Sequence, residues 1–151
     1  MKQVSLLSHL QYLCRKIISI LFSGTTMAEH NDLGKWGEEE AARFLHAAGY
    51  IIMERDWHSG KRDIDIIAKT PDGVTYVFVE VKTRRSDVLT SPADAIDARK
   101  VRNIGLAADN YVKMHGIDGP LRFDVITIVG TSPSTMRLEH IPDAFNPVLF
   151  F

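Results

Sequence analysis

Arg62-Asp63-Ile64-Asp65-Ile66-Ile67-Ala68 and Tyr76-Val77-Phe78-Val79-Glu80-Val81-Lys82-Thr83 decide how this chain folds. Both runs alternate polar with apolar residues, the period of a strand with one buried face. Thr70-Pro71-Asp72-Gly73-Val74 lies between them and carries the Asp-Gly pair favoured in tight hairpins. A two-residue turn centred on Asp72-Gly73 places Asp65 opposite Glu80 and Asp63 opposite Lys82. Phe78, Glu80 and Lys82 then share one face, and Val77, Val79 and Val81 the other. On the partner strand Asp63 and Asp65 share a face, and Ile64 and Ile66 the opposite one. Directly opposed side chains sit roughly 5 Å apart at Cβ, where like charges destabilise a sheet. A bound divalent cation is the simplest reason for setting two carboxylates together; a hairpin whose charged face is simply half exposed is the other reading.

Outward from the hairpin, helical and extended patterns alternate. Trp36, Ala41, Phe44, Leu45 and Ala48 fall on one helical stripe, and Gly49 is a natural stop, so the first helix is expected over 34–48. Tyr50 to Trp57 reads as a strand, followed by the turn His58-Ser59-Gly60. Asp87 to Pro92 reads as a polar loop. Ser91 can cap a second helix that begins with Pro92 and runs to about His115. Its expected buried residues are Ala95, Ala98, Val101, Ile104, Leu106, Ala108, Tyr111 and Val112. Leu121 to Val129 reads as a fourth strand and Met136 to Ile141 as a short fifth, before an irregular tail. The expected fold is α/β, in the order αβββαβ, with a sheet of four to five strands covered by helices. The expected boundaries are an extension over 1–31, a domain over 32–130, and a short strand and tail over 131–151.

Composition narrows the chemistry. The 151 residues suffice for one domain with a sizeable core. A single cysteine, Cys14, excludes an intrachain disulfide or a cysteine-built zinc site. The six histidines are scattered, so any metal is held by oxygen, which favours Mg2+ or Mn2+. The net charge is −1, and residues 1–26 hold Lys2, Arg15 and Lys16 with no acid, which leaves −4 on the remainder. A phosphate-rich partner must therefore meet a local basic patch. Residues 1–26 form an amphipathic pattern through Leu6, Leu10, Leu13, Ile17 and Leu21. Arg15 and Lys16 interrupt it, and no apolar run reaches the ~18 residues of a membrane span. Met27-Ala28-Glu29-His30-Asn31 has the character of an alternative protein start, and no integral membrane span is expected.

Asp65 and Glu80 as ligands, with the Val81 carbonyl turned toward the same place and Lys82 beside them, suit phosphodiester hydrolysis. Lys82 can orient a water or stabilise charge growing on the phosphorus. Arg62, Arg84, Arg85 and Lys100 are candidate phosphate contacts, within a larger basic group of Lys61, Arg99 and Arg102. A solvated helix face balanced by Asp87, Asp94 and Asp97 explains the same charges. Arg122 and Asp124 read as a structural ion pair at the sheet edge. Trp36 and Trp57 read as core residues that could otherwise stack on bases.

Asp65 followed by a short hairpin and Glu80-Val81-Lys82 resembles the Asp…Glu-x-Lys signature of the restriction-endonuclease-like superfamily, PD-(D/E)xK. The helix–three strands–helix–strand order is similar to that superfamily's core. More closely, the chain resembles the YraN-type family of small bacterial proteins. The matching residues are Gly34-x-x-Gly37-Glu38 with Ala41 and Ala42, Gly49-Tyr50, Asp63 to Ala68, Val77 to Arg84, Lys100, and Arg122-Phe123-Asp124-Val125-Ile126. Asp63 departs from it, because the family more often has Glu there. The resemblance implies a nuclease-like fold and not a substrate; with Asp65, Glu80 and Lys82 all in place, the leading expectation is a divalent-metal-dependent endonuclease acting on DNA, and a cytoplasmic location is expected. The resemblance also implies Glu38 as a further site residue, by its match to a first-helix glutamate of archaeal Holliday-junction resolvases. Glu38-Glu39-Glu40 also complements a helix dipole. Resolvase-type chemistry needs two sites and hence a homodimer. The other reading is a non-catalytic nucleic-acid-binding module that has kept the fold.

Overall fold

The structure, a computed structural model, describes residues 27–86 and 98–151. Helix α1 (Met27–Ala47) is followed by β1 (Ile51–Ser59), β2 (Arg62–Lys69) and β3 (Tyr76–Arg84). Helix α2 (Ala98–His115), β4 (Leu121–Val129), β5 (Arg137–Ile141) and a 3-10 helix (Pro147–Phe150) complete the chain. The five strands form one mixed sheet in sequential order, antiparallel except for the parallel β3–β4 pair. This is the α/β architecture and element order expected from the sequence. The start of the second helix, with Ser91, Pro92 and Ala95, and the loop before it lie outside the described residues.

Alternation along β3 splits the core into two layers. Val77, Val79 and Val81 pack under α1 with Ala41 and Leu45, together with Ile66, Ala68, Ile126 and Ile128. Phe78 packs under α2 with Ile64, Ile67, Ala107, Ala108 and Tyr111. The helices therefore cover opposite faces. Trp57 packs edge-on to Tyr111 and Trp36 rests against the α1 layer, so both tryptophans serve the core.

Several details differ from the sequence reading. The β2–β3 register is as expected, from Lys69 opposite Tyr76 to Ile66 opposite Val79. The connection, however, is the four-residue loop Pro71–Val74 rather than a two-residue turn. The Thr70 amide donates to the Thr75 carbonyl at 2.9 Å and the Gly73 amide to the Thr70 carbonyl at 2.7 Å. Gly73 takes a positive φ of 75°, and Asp72 Oδ1 accepts from Thr70 Oγ1 and the Val74 amide. Two extra residues at the tip leave the register unchanged, because each strand gives up one to the loop.

The expected shared face of Ile64 and Ile66 is not found: Ile64 packs under α2 and Ile66 under α1. The slip falls at Asp65. Across from it on β1, between the pairs Arg55–Ile66 and Trp57–Ile64, Asp56 takes a left-handed φ of 48°. Phe44, expected inside, is 38% exposed and lies edge-on to His140, and Ala48 and Ala98 are exposed. Leu106 and Val112 are half-buried. The tail is more ordered than its sequence suggests. Ala144 and Phe145 are buried with Val101, Ile104 and Val125, and Asn146 caps the 3-10 helix.

Arg122 and Asp124 do pair, at 2.8 Å through two guanidinium nitrogens, but not at the sheet edge. Strand β4 lies between β3 and β5, and Asp124 is fully buried. Its carboxylate also accepts from His140 Nε2 at 2.7 Å and from the Asp143 amide at 3.0 Å, while Arg122 donates to the Tyr50 hydroxyl. Burial alone would raise the Asp124 pKa; the His140, Arg122 and Asp143 donors outweigh it and hold the carboxyl below its usual value. One carboxylate thus ties together β4, β5, the tail and the segment after α1.

Candidate metal and phosphate site

The β2–β3 ladder stops at Ile66–Val79, and there the strands part. Asp65 fills the gap with its side chain: Oδ2 accepts from the Val81 amide at 2.7 Å. The N–H and C=O of one strand residue point to the same side, so the Val81 carbonyl also faces this gap. Glu80, one residue earlier on β3, points to the α2 face and is only 7% exposed. Its charge and that of Asp65 act on one another. The directly opposed pairs expected from the sequence, Asp65 with Glu80 and Asp63 with Lys82, are not formed: the ladder ends one step earlier, and the Asp65 side chain reaches the Val81 amide beside Glu80 instead.

Three further side chains converge. Lys82, two residues on from Glu80, is partly buried on the same face. Lys100, from the first turns of α2, places Nζ 3.4 Å from Glu80 Oε2 and 3.6 Å from Asp63 Oδ2. Glu38 comes from α1 on the other face. Gly37 makes its approach possible: a Cβ there would overlap the Thr83 side chain on β3, so only glycine lets the helix settle this close. One residue further on, Glu38 reaches the field of Asp65, Asp56 and Asp63.

The electrostatics show how much negative charge is gathered here. Burial, and then the Asp65 charge, push the Glu80 carboxyl up to about 8. Burial likewise raises Asp65, against the Val81 amide and Lys100. Glu38 is pushed up to about 7 by burial and by Asp65, Asp56 and Asp63, with Arg55 opposing. Lys82 is held below the usual lysine value by burial and by the Arg84 and Lys100 charges, against the pull of Glu80. For Lys100, burial works downward, but Glu80, Asp65 and Asp63 outweigh it and hold the ammonium above its ordinary value.

A divalent cation fits this donor set. Glu80 Oε2 is buried and makes no hydrogen bond, although Lys100 Nζ lies near it. Such an acceptor is costly unless something binds it. The available ligands are the carboxylates of Asp65 and Glu80 and the Val81 carbonyl, all hard oxygens suited to Mg2+ or Mn2+. Among the described residues, no three His, Cys, Asp or Glu side chains form a ready cage, so a cation held here would need water or other oxygens to complete its shell.

The basic residues fall at the same end of the molecule. Arg62 opens β2 and Arg84 closes β3, with Arg85 exposed just beyond. They lie at the end of the hairpin where β2 and β3 have parted, the end that also carries Asp65 and Glu80. Lys100 is better placed to neutralise Glu80 than to line an outer rim. Its proximity to the carboxylates could not be found from the sequence, because it depends on where α2 lies across the sheet. The helical phase of α2 was legible; its position above Glu80 was not.

No helix among the described residues is long and apolar enough to cross a membrane. Comparison with known proteins matches residues 37–128 to the model of the uncharacterised protein family UPF0102. That span contains Glu38, Asp65, Glu80, Lys82 and Lys100. A UPF0102 protein of Phocaeicola vulgatus is 43% identical over 124 residues, covering 82% of this chain and 100% of its own length. One from Bacteroides thetaiotaomicron is 44% identical with the same coverage. One from Porphyromonas gingivalis is 48% identical over 82% of this chain and 90% of its own length. By these matches, over more than half of its length and at 43–48% identity, the chain belongs to the UPF0102 family.

Proposed function

We propose that this protein is a metal-dependent nuclease that hydrolyses DNA phosphodiester bonds, with branched or repair intermediates as the substrate class. The observation that carries the proposal is the buried, hydrogen-bond-orphaned Glu80 Oε2 set beside Asp65 at the point where β2 and β3 part. Asp65, Glu80 and the Val81 carbonyl would hold Mg2+ or Mn2+. The chemistry that ion supplies is Lewis-acid stabilisation of phosphate charge and a lowered pKa for water.

The chain's own residues do the remaining work. The Val81 amide fixes Asp65 so that its other oxygen is available. Lys82 can donate to a phosphate oxygen or to the attacking water. The Glu38 carboxyl, with a pKa near 7, can hold or release a proton at neutral pH beside Asp65. Arg62, Arg84 and Arg85 would grip the phosphate backbone where it passes the open end of the hairpin. Cleavage of both strands of a branched duplex would take two such sites, and hence a pair of chains.

A manganese-dependent cleavage assay on linear, flapped and four-way DNA tests the proposal. The unsubstituted protein is expected to cut at least one of these, and Asp65→Ala and Lys82→Ala each to lower the rate about 100-fold or more. Cleavage that persists undiminished in both variants would overturn the assignment. A second reading draws on Lys100, whose ammonium already offsets carboxylate charge and could make a retired site stable. Salt-sensitive DNA binding without cleavage of any substrate would favour that non-catalytic module.

A further inference from the structure

We propose that Lys100 is an exchangeable internal cation: its ammonium occupies the carboxylates of the metal-free protein and is displaced when a divalent ion binds. The inference rests on the metal-site reading above and adds a regulatory step to it.

The geometry has three parts. Lys100 Nζ stands 3.4 Å from Glu80 Oε2, the same buried atom that lacks a hydrogen bond. The ammonium is thus close enough to neutralise that oxygen without satisfying it. A cation bound by Glu80 would meet repulsion from Lys100 at short range in a poorly solvated place. Lastly, Lys100 has a second anionic neighbour: Asp63 Oδ2, 3.6 Å away, on a side chain that is 44% exposed. Asp63 is not among the ligands, so it offers the displaced ammonium a wetter seat on the same side of the sheet. A lysine stem is long enough to exchange between them without moving α2.

The exchange makes divalent-ion binding weaker than the carboxylates alone would give. It also delivers a positive charge to the site's rim only once the ion is in place.

Mn2+ affinity of the full chain, read from the paramagnetic resonance of free Mn2+, tests the idea without any nuclease assay. Lys100→Met is expected to bind Mn2+ roughly tenfold or more tighter than the unsubstituted protein. Lys100→Arg, which keeps the charge, is expected to stay near the original affinity. Equal affinity for Lys100→Met and the unsubstituted protein, with binding abolished by Asp65→Ala, would overturn the exchange while leaving the metal site standing. No Mn2+ binding to any of these proteins would overturn both.

A second measurement needs no variant. The rate of acylation of Lys100 by a water-soluble amine reagent, followed by peptide mass spectrometry, is expected to rise several-fold when Mg2+ is added. A rate unaffected by saturating Mg2+ would also refute displacement.

Discussion

Glu80 is the residue on which the site's energetics turn. A buried carboxylate beside another carboxylate costs stability when both are charged. Its pKa is near 4.5 when solvated and about 8 in the fold, so between those values the folded state retains a proton that the unfolded chain releases. The associated stability is complete below about pH 4.5 and lost as pH rises through 8. In the presence of a chelator, the melting temperature is therefore expected to fall as pH rises from about 5 to 8. Glu80→Gln should flatten that slope, because the amide does not ionise. Mg2+ should raise the melting temperature most at the alkaline end, where the two carboxylates are charged and ready to bind it. Thermal unfolding across pH, with chelator or Mg2+, checks all three; a slope identical in Glu80→Gln would assign the pH effect to other groups. Glu38 has its pKa raised in the same direction and contributes to any residual slope.

At the scale of elements, two contacts place the site: the side chain of Asp65 between β2 and β3, and the seating of α1 on β3. The second depends on Gly37. Adding one methyl there drives the helix into Thr83. Gly37→Ala is expected to destabilise the protein by about 1–3 kcal/mol, measured by urea denaturation. It should also shift Glu38 away from Asp65. Shortening the obstacle with Thr83→Ala should recover only part of the loss, because the Thr83 Cβ itself would lie 2.9 Å from the new methyl. Full recovery would mean that the hydroxyl alone sets the helix height. These elements were unequally legible in the sequence. The hairpin register was readable because strict alternation and the Asp-Gly tip allow few solutions, and the loop's two extra residues did not disturb it. The kink at Asp56, the split faces of Ile64 and Ile66, and the insertion of the Asp65 side chain were not readable. They fall at neighbouring positions where the β2–β3 ladder ends, a point that alternation alone does not mark. The order of the tail was also hidden, since Phe145 and Pro147 become core only when α2 and β4 are already packed. Ion pairing between Arg122 and Asp124 was legible from their spacing, but their depth follows from β5 covering what would otherwise be an edge.

For the whole molecule, topology explains why charge collects at one end. Strand β3 finishes where β2 begins, and the parallel β3–β4 pair requires α2 to start at that same end in order to return the chain to the beginning of β4. Glu38 on α1, Asp65 near the start of β2, Glu80 and Lys82 near the end of β3, and Lys100 near the start of α2 are thereby brought together. None of this requires the chain to be basic overall, and its net charge is −1. If the protein acts on DNA as proposed, electrostatic attraction has to come from a few residues at this end, of which Arg84 and Arg85 directly continue the strand carrying Glu80 and Lys82. Reversing both charges, Arg84→Glu with Arg85→Glu, is expected to weaken DNA binding at low salt by tenfold or more. Each phosphate contact contributes about 0.9 to the slope of log affinity against log salt for duplex DNA, so losing two should flatten it by about 2 units. Mn2+ affinity should survive the double substitution, because neither arginine is a ligand. Fluorescence anisotropy with a labelled duplex between 50 and 200 mM salt, the range over which this dependence is steep, gives the measurement. An unchanged slope would mean that the phosphate backbone approaches the carboxylates from another side, and that the arginines closing β3 serve the fold alone.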